Sequence, residues 1–123
     1  MTLSGHHDDL RFLAPLTDLE SLEIVGTNVD GTGFWHLAGL SKLTYVCLEG
    51  RNVTDEAVPH LARLPSLKSV MIYGTRVTAA GLEEFRSAPR LSQIGLIPAV
   101  TGDTKRLKQA LPNRGVLNGG KSL

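Results

Sequence analysis

The sequence predicts an α/β fold of the stacked-repeat kind, in which short parallel strands alternate with helices along a short solenoid. One repeated pattern carries most of this expectation. Leu19-Glu-Ser-Leu22-Glu-Ile24-Val-Gly26-Thr27-Asn-Val29 returns as Leu43-Thr-Tyr-Val46-Cys-Leu48-Glu-Gly50-Arg51-Asn-Val53 and again as Leu67-Lys-Ser-Val70-Met-Ile72-Tyr-Gly74-Thr75-Arg-Val77. Leu91-Ser-Gln-Ile94-Gly-Leu96 opens a fourth copy, and the openings at Leu19, Leu43, Leu67 and Leu91 are evenly spaced. A period of roughly 20–29 residues with L-x-x-L-x-L spacing marks units that cannot bury an apolar face alone and must stack. Composition agrees: 13 glycines punctuate the 123 residues, and six aromatic residues leave the packing to Leu, Val and Ile.

Taken in order, residues 1–9 are polar and rich in His and Asp, with Asp8 or Asp9 placed to cap a helix starting near Leu10. Leu10, Leu13 and Leu16 then recur at helical spacing. They share a phase with Phe34, Leu37 and Leu40, with Val58, Leu61 and Leu64, and with Leu82, Phe85 and Ala88. Residues 9–18 thus read as the helical half of a repeat whose strand half is missing. Complete repeats follow at 19–42, 43–66 and 67–90, with an atypical capping repeat at 91–118 and a disordered tail at 119–123.

Within each repeat a strand is expected first: Ser21–Val25, Tyr45–Glu49, Ser69–Tyr73 and Gln93–Ile97, where apolar and variable residues alternate. Gly26, Gly50 or Gly74 then turns the chain. The helix that follows supplies the crossover a parallel strand requires. The fourth repeat departs from this scheme, with Pro98 in place of the glycine and Thr101 in place of the valine. There Asp103 or Thr104 caps a helix with Leu107 and Leu111 inward, Pro112-Asn113 stops it, and Arg114–Asn118 supplies a last edge strand.

The L-x-x-L-x-L strand, the Gly-Thr-x-Val turns at Gly26 and Gly74, Thr54-Asp55 after Val53 and the Ala110-Leu111-Pro112-Asn113 ending resemble the leucine-rich repeat family. They are most similar to bacterial repeats of the L-x-L-x-G-T-x-I-T-D type, over about Asp9 to Asn118. The resemblance implies a curved solenoid with parallel strands on the concave face and helices on the convex face. It also implies protein–protein recognition without catalysis. Arg51 departs from the pattern, standing where Thr27 and Thr75 turn inward; it is expected to point outward and leave Asn52 as a local substitute.

On such a sheet the residues between the core positions face out and align in columns about 4.8 Å apart. The columns read Ser21, Tyr45, Ser69, Gln93; then Glu23, Cys47, Met71, Gly95; then Val25, Glu49, Tyr73, Ile97. Tyr45, Cys47, Glu49, Arg51, Met71 and Tyr73 are the candidate partner-binding residues, since aromatic, Met and Arg content is enriched at interface cores. Tyr and Met also serve β-propensity on a plain solvated sheet, which is the alternative reading.

Other chemistry finds less support. His36, His60 and Glu84 share a helical column, but neighbouring helices about 10 Å apart hold such ligands too far apart for easy metal binding. A solvated face with Trp35 packed on Pro59 is the simpler expectation. His6-His7-Asp8-Asp9 reads as capping in preference to metal binding. Cys47 on the sheet and His60 on a helix are separated by the core, so no thiol–base pair forms and no enzyme is predicted. Gly31-Thr-Gly33 lacks the spacing of a phosphate loop. No cofactor is expected.

A net charge of +1 gives no reason to expect nucleic acid or an anionic membrane as partner. The lone cysteine excludes an internal disulfide, and no apolar run long enough for a signal peptide or a membrane span is present, so a cytoplasmic location is expected. The function expected is a non-enzymatic module that binds a protein through its concave sheet, as a small bacterial adaptor or an inhibitor or immunity-type protein. The alternative is a structural subunit that self-associates, giving a homodimer, through the open N-terminal edge of Ser21–Val25. Residues 1–8 folding over that edge, a partner or second copy adding a strand, and a chain that begins further upstream are three readings of the same edge.

Overall fold

A computed structural model describes residues 2–4, 10–25, 31–97, 104–112, 114–119 and 121–122. Apolar alternation places strands at the expected bounds: β2 (Ser21–Val25), β3 (Tyr45–Glu49), β4 (Ser69–Tyr73) and β5 (Gln93–Ile97). They are joined by β1 (Thr2–Ser4), β6 (Gly115–Asn118) and β7 (Lys121–Ser122). The sheet runs in sequence order from β1 to β7, parallel throughout except for the antiparallel β6–β7 pair. The fold is therefore α/β with a parallel sheet.

The repeat period is also the pairing register. Ser21 sits opposite Tyr45, Tyr45 opposite Ser69 and Ser69 opposite Gln93, each one full repeat further along the chain. The interval is shorter at both ends, from Gln93 to Gly115 and from Thr2 to Glu23. Just before the strands, single carbonyls collect two amides from the next repeat. Glu20 accepts from Thr44 and Tyr45 at 2.9 and 3.3 Å, Thr44 from Lys68 and Ser69 at 2.8 and 3.1 Å, and Lys68 from Ser92 and Gln93 at 2.9 and 3.2 Å. Thr44 and Ser92 add hydroxyl donors to the same carbonyls of Glu20 and Lys68.

A sheet that grows in sequence order through right-handed crossovers keeps every crossover on one face. Leu22, Ile24, Val46, Leu48, Val70, Ile72, Ile94, Leu96 and Val116 point to that face. They form one buried cluster with Leu10, Leu13, Phe34, Leu37, Leu61, Leu82, Phe85 and Leu107 of the crossovers. Each such side chain contributes about 1.5–3 kcal/mol on burial. The other sheet face carries no helix among the described residues.

The crossovers are shorter and tighter than a regular α-helix. Arg11–Leu13, Gly31–Leu37 and Glu83–Ser87 are 3₁₀ segments, while α1 (Ala57–Ala62), α2 (Ala79–Leu82) and α3 (Thr104–Ala110) are α-helical. The apolar spacing is compatible with either form, since Val58 and Leu61 carry it on an α-helix and Phe34 and Leu37 on a 3₁₀ segment. Pro59 is accommodated in the first turn of α1, where its missing N–H costs nothing.

The expected open edge at Ser21–Val25 is instead partly closed, because Thr2–Ser4 pairs with Glu23–Val25. Leu10 and Leu13 are fully buried, and only Leu16 of that trio stays 38% exposed. At the other end, the expected disordered tail turns at Gly119 (φ 64°) so that Lys121 and Ser122 pair back on Asn118 and Leu117. β6 is thus covered over its second half and is not the last strand. Of the turn glycines, Gly74 adopts the left-handed conformation (φ 56°) and donates to the Ile97 carbonyl at 2.9 Å. Gly50 turns without it, and Gly26 lies outside the described residues, as do Asp8, Asp9, Thr27, Pro98, Thr101 and Asp103.

One polar node ties two repeats together. Asp55 accepts from the Thr78 amide at 2.7 Å and from the Thr78 hydroxyl at 2.6 Å. The oriented Thr78 hydroxyl then caps α2 by accepting from the Gly81 amide at 3.2 Å. A Cβ at Gly81 would overlap the Asp55 carboxylate, so the node requires glycine there. By contrast, the Lys42–Asp18 pair between repeats is fully solvated and adds little. Replacing Asp55 by Ala is expected to cost about 1–3 kcal/mol. Gly81→Ala should cost a similar amount, and the double variant less than the sum, because the Asp55→Ala change removes the carboxylate that the new methyl would overlap. Urea denaturation of the three variants measures this; full additivity would show that the two residues do not act together.

Candidate functional site

The face opposite the crossovers collects the odd-numbered strand positions, and the register aligns them as expected. Glu23, Cys47, Met71, Gly95 and Leu117 form the central column. Ser21, Tyr45, Ser69, Gln93 and Gly115 lie on one side of it, and Val25, Glu49, Tyr73 and Ile97 on the other. Of the six predicted site residues, Tyr45, Met71 and Tyr73 are half-buried here and Glu49 is exposed. Arg51 is exposed just past the end of β3, as its charge requires. No Asn52 hydrogen bond replaces the threonine among the described residues, and Thr75 accepts locally from the Val77 amide at 3.3 Å.

Cys47 differs from expectation. It occupies the outward column, yet only 7% of it is exposed. A short side chain between the longer Glu23 and Met71, hydrogen-bonded by the Tyr45 hydroxyl, is covered by its neighbours. Burial pushes its thiol above the ordinary value, the Tyr45 hydrogen bond opposes this, and Glu23 and Glu49 push it up further. Such a thiol is a poor nucleophile and packs as a small apolar residue. The Tyr45 hydroxyl is itself pushed up to about 12, by burial first and then by Cys47, Glu23 and Tyr73.

Met71 reaches sideways across the sheet. Its Sδ and Cε fill the space a side chain at position 95 would take, which is why Gly95 is buried although it faces outward. Beyond it, Ile97 is 49% and Leu117 42% exposed. These two residues extend the face toward the C-terminal end and were not among the expected contacts. Ile97 was legible as the last member of its column. Leu117 was concealed because the interval between paired strands shortens from β5 to β6.

On the helical side Trp35 is 57% exposed, and its ring lies on His36 with centroids 3.7 Å apart. Among the described residues no group of three or more His, Cys, Asp or Glu side chains is placed to hold a metal. His6-His7-Asp8-Asp9 lies outside them. A cleft of about 170 Å³ lined by Lys108, Leu111, Pro112, Arg114 and Val116 is smaller than a typical ligand pocket and lies away from the open sheet face. Arg114 there donates to the carbonyls of Ala88 (2.6 Å) and Arg86 (3.2 Å), closing the end of the preceding crossover. No described helix is long and apolar enough to cross a membrane.

Compared with known proteins, the sequence matches no family model and no curated protein. The geometry of the open face is therefore the ground for a functional reading.

The raised thiol and phenol set the alkaline behaviour. Both groups stay neutral in the fold at a pH where they ionise in the unfolded chain, whose ordinary values are 9.0 and 10.0. The contribution of these two groups to stability is accordingly fully present below about pH 9 and is lost as pH rises from there toward 12. Urea midpoints across this range are expected to decline, and Tyr45→Phe to flatten the decline above pH 10. An unchanged slope would mean that the phenol is not perturbed.

Proposed function

We propose that the chain is a short leucine-rich-repeat solenoid that works as a non-catalytic binding module, taking a protein partner on its concave sheet. The observation that supports this most directly is the open face itself. Tyr45, Met71, Tyr73, Ile97 and Leu117 stand there uncovered or half-covered on a rigid parallel sheet. Contiguous exposed apolar and aromatic surface rimmed by polar residues marks an interaction site more often than a plain solvated face. Parallel pairing at a constant one-repeat interval and crossovers on one side are what the leucine-rich-repeat reading requires. Glu49 on the face and Arg51 just past the end of β3 orient the partner. Small bacterial adaptors and inhibitor or immunity-type proteins are the setting this reading favours, with a cytoplasmic location. Thr2–Ser4 shortens the N-terminal edge to three residues, a length that discourages edge pairing. Recognition across the face is therefore preferred to homodimer formation along the edge.

Affinity capture from the native cell with wild-type chain, Tyr45→Ala, Tyr73→Ala and Trp35→Ala tests the reading. Trp35 sits on the opposite side and serves as control. Each tyrosine variant is expected to weaken the captured partner by about 2 kcal/mol, or roughly thirtyfold in Kd, with Trp35→Ala unchanged. Loss of capture that follows a loss of folding stability, or that occurs equally in the Trp35 variant, would exclude the face as the binding surface.

A further inference from the structure

The charge on the open face is one-sided. Across β2 to β6 the outward positions carry Glu23 and Glu49 and no lysine, arginine or histidine, although the whole chain is net positive. Neither glutamate is ion-paired among the described residues. Their carboxylates act on the same point, since both raise the Cys47 thiol after burial has done so, and Glu23 also acts on the Tyr45 phenol. Tyr45 and Tyr73 stand on either side of the Cys47–Met71 pair, one in each outer column. Two carboxylates and two phenol rings around a buried, uncharged centre present hydrogen-bond acceptors and ring faces to a cation. Toward β5 and β6 the face changes character. Met71 lies over Gly95, and Ile97 and Leu117 extend an uncharged apolar strip. The exposed Arg51 stands past the strand end, outside both zones.

We propose that this face selects a partner segment in which a Lys or Arg side chain is flanked by aliphatic ones. The cation seats among Tyr45, Tyr73, Glu23 and Glu49, and the aliphatic side chains lie on Met71, Ile97 and Leu117. The inference rests on the reading of the open face as the binding surface and adds the chemistry of what binds there. Complementary charge sets register and excludes acidic competitors, while the apolar strip supplies affinity.

The probe is a random peptide library displayed on phage and panned against the full chain, with binding of selected synthetic peptides then measured by calorimetry. The expected result is enrichment of Lys or Arg next to Leu, Ile, Val or Met. Removing both charges with Glu23→Gln and Glu49→Gln should weaken those peptides roughly tenfold. Ile97→Asp should abolish binding, and urea midpoints of the variants should stay near wild type. Peptides that depend on Ile97 but show no basic enrichment, or no response to the glutamine pair, overturn the cationic preference and leave the binding face standing. A library that yields no peptide sensitive to Tyr73→Ala or Ile97→Asp counts against both.

Discussion

Everything else in this chain depends on parallel pairing between strands separated by one repeat. Each of the four central strands is only five residues long, and none has a hairpin partner. A parallel neighbour requires a long crossover, and the crossover has to cover one face of the strand it leaves. The carbonyls of Glu20, Thr44 and Lys68 hold this arrangement at the strand entries by accepting two amides from the following repeat. A change of repeat length would move every outward residue against its neighbour. The columns of the open face therefore exist only because the interval is constant from β2 to β5.

The two faces of the sheet divide the work. One is sealed by the crossovers, where leucines meet phenylalanines, and the Asp55–Thr78–Gly81 node locks two crossovers together through one carboxylate. The other is left to short, long, charged and aromatic residues that no repeat rule prescribes. Burial is decided there by neighbours more than by direction. Cys47 points outward and is covered, Gly95 points outward and is covered by Met71, and Ile97 points outward and stays open. A face of this kind can be recognised as a surface from its pattern alone, but its relief comes from which side chains lean on which.

The strand bounds, the core positions and the columns could be read from the sequence because alternation at period two and recurrence at a fixed interval are each direct consequences of backbone geometry. The ends resisted the same reading. Thr2–Ser4 contains too few residues for any pattern to stand out, and the pairing of Lys121–Ser122 depends on a positive-φ glycine turn that folds the chain back. The shorter intervals at the two ends break the periodicity that made the middle legible. The crossovers fell between these cases: the spacing of Phe34, Leu37 and Leu40 announced a helix, but the same spacing at Val58 and Leu61 is carried by an α-helix, so the 3₁₀ form was not encoded in the pattern.

By itself, the sequence determined the α/β class, the order of the strands and which residues lie in the core, since these follow from local periodicity repeated at a constant interval. Only the tertiary structure decided how the sheet ends, which outward residues are reachable, and how Glu23, Glu49 and the tyrosines are set around Cys47. These depend on contacts between residues a whole repeat apart, and on side-chain lengths across neighbouring strands, which no single repeat encodes.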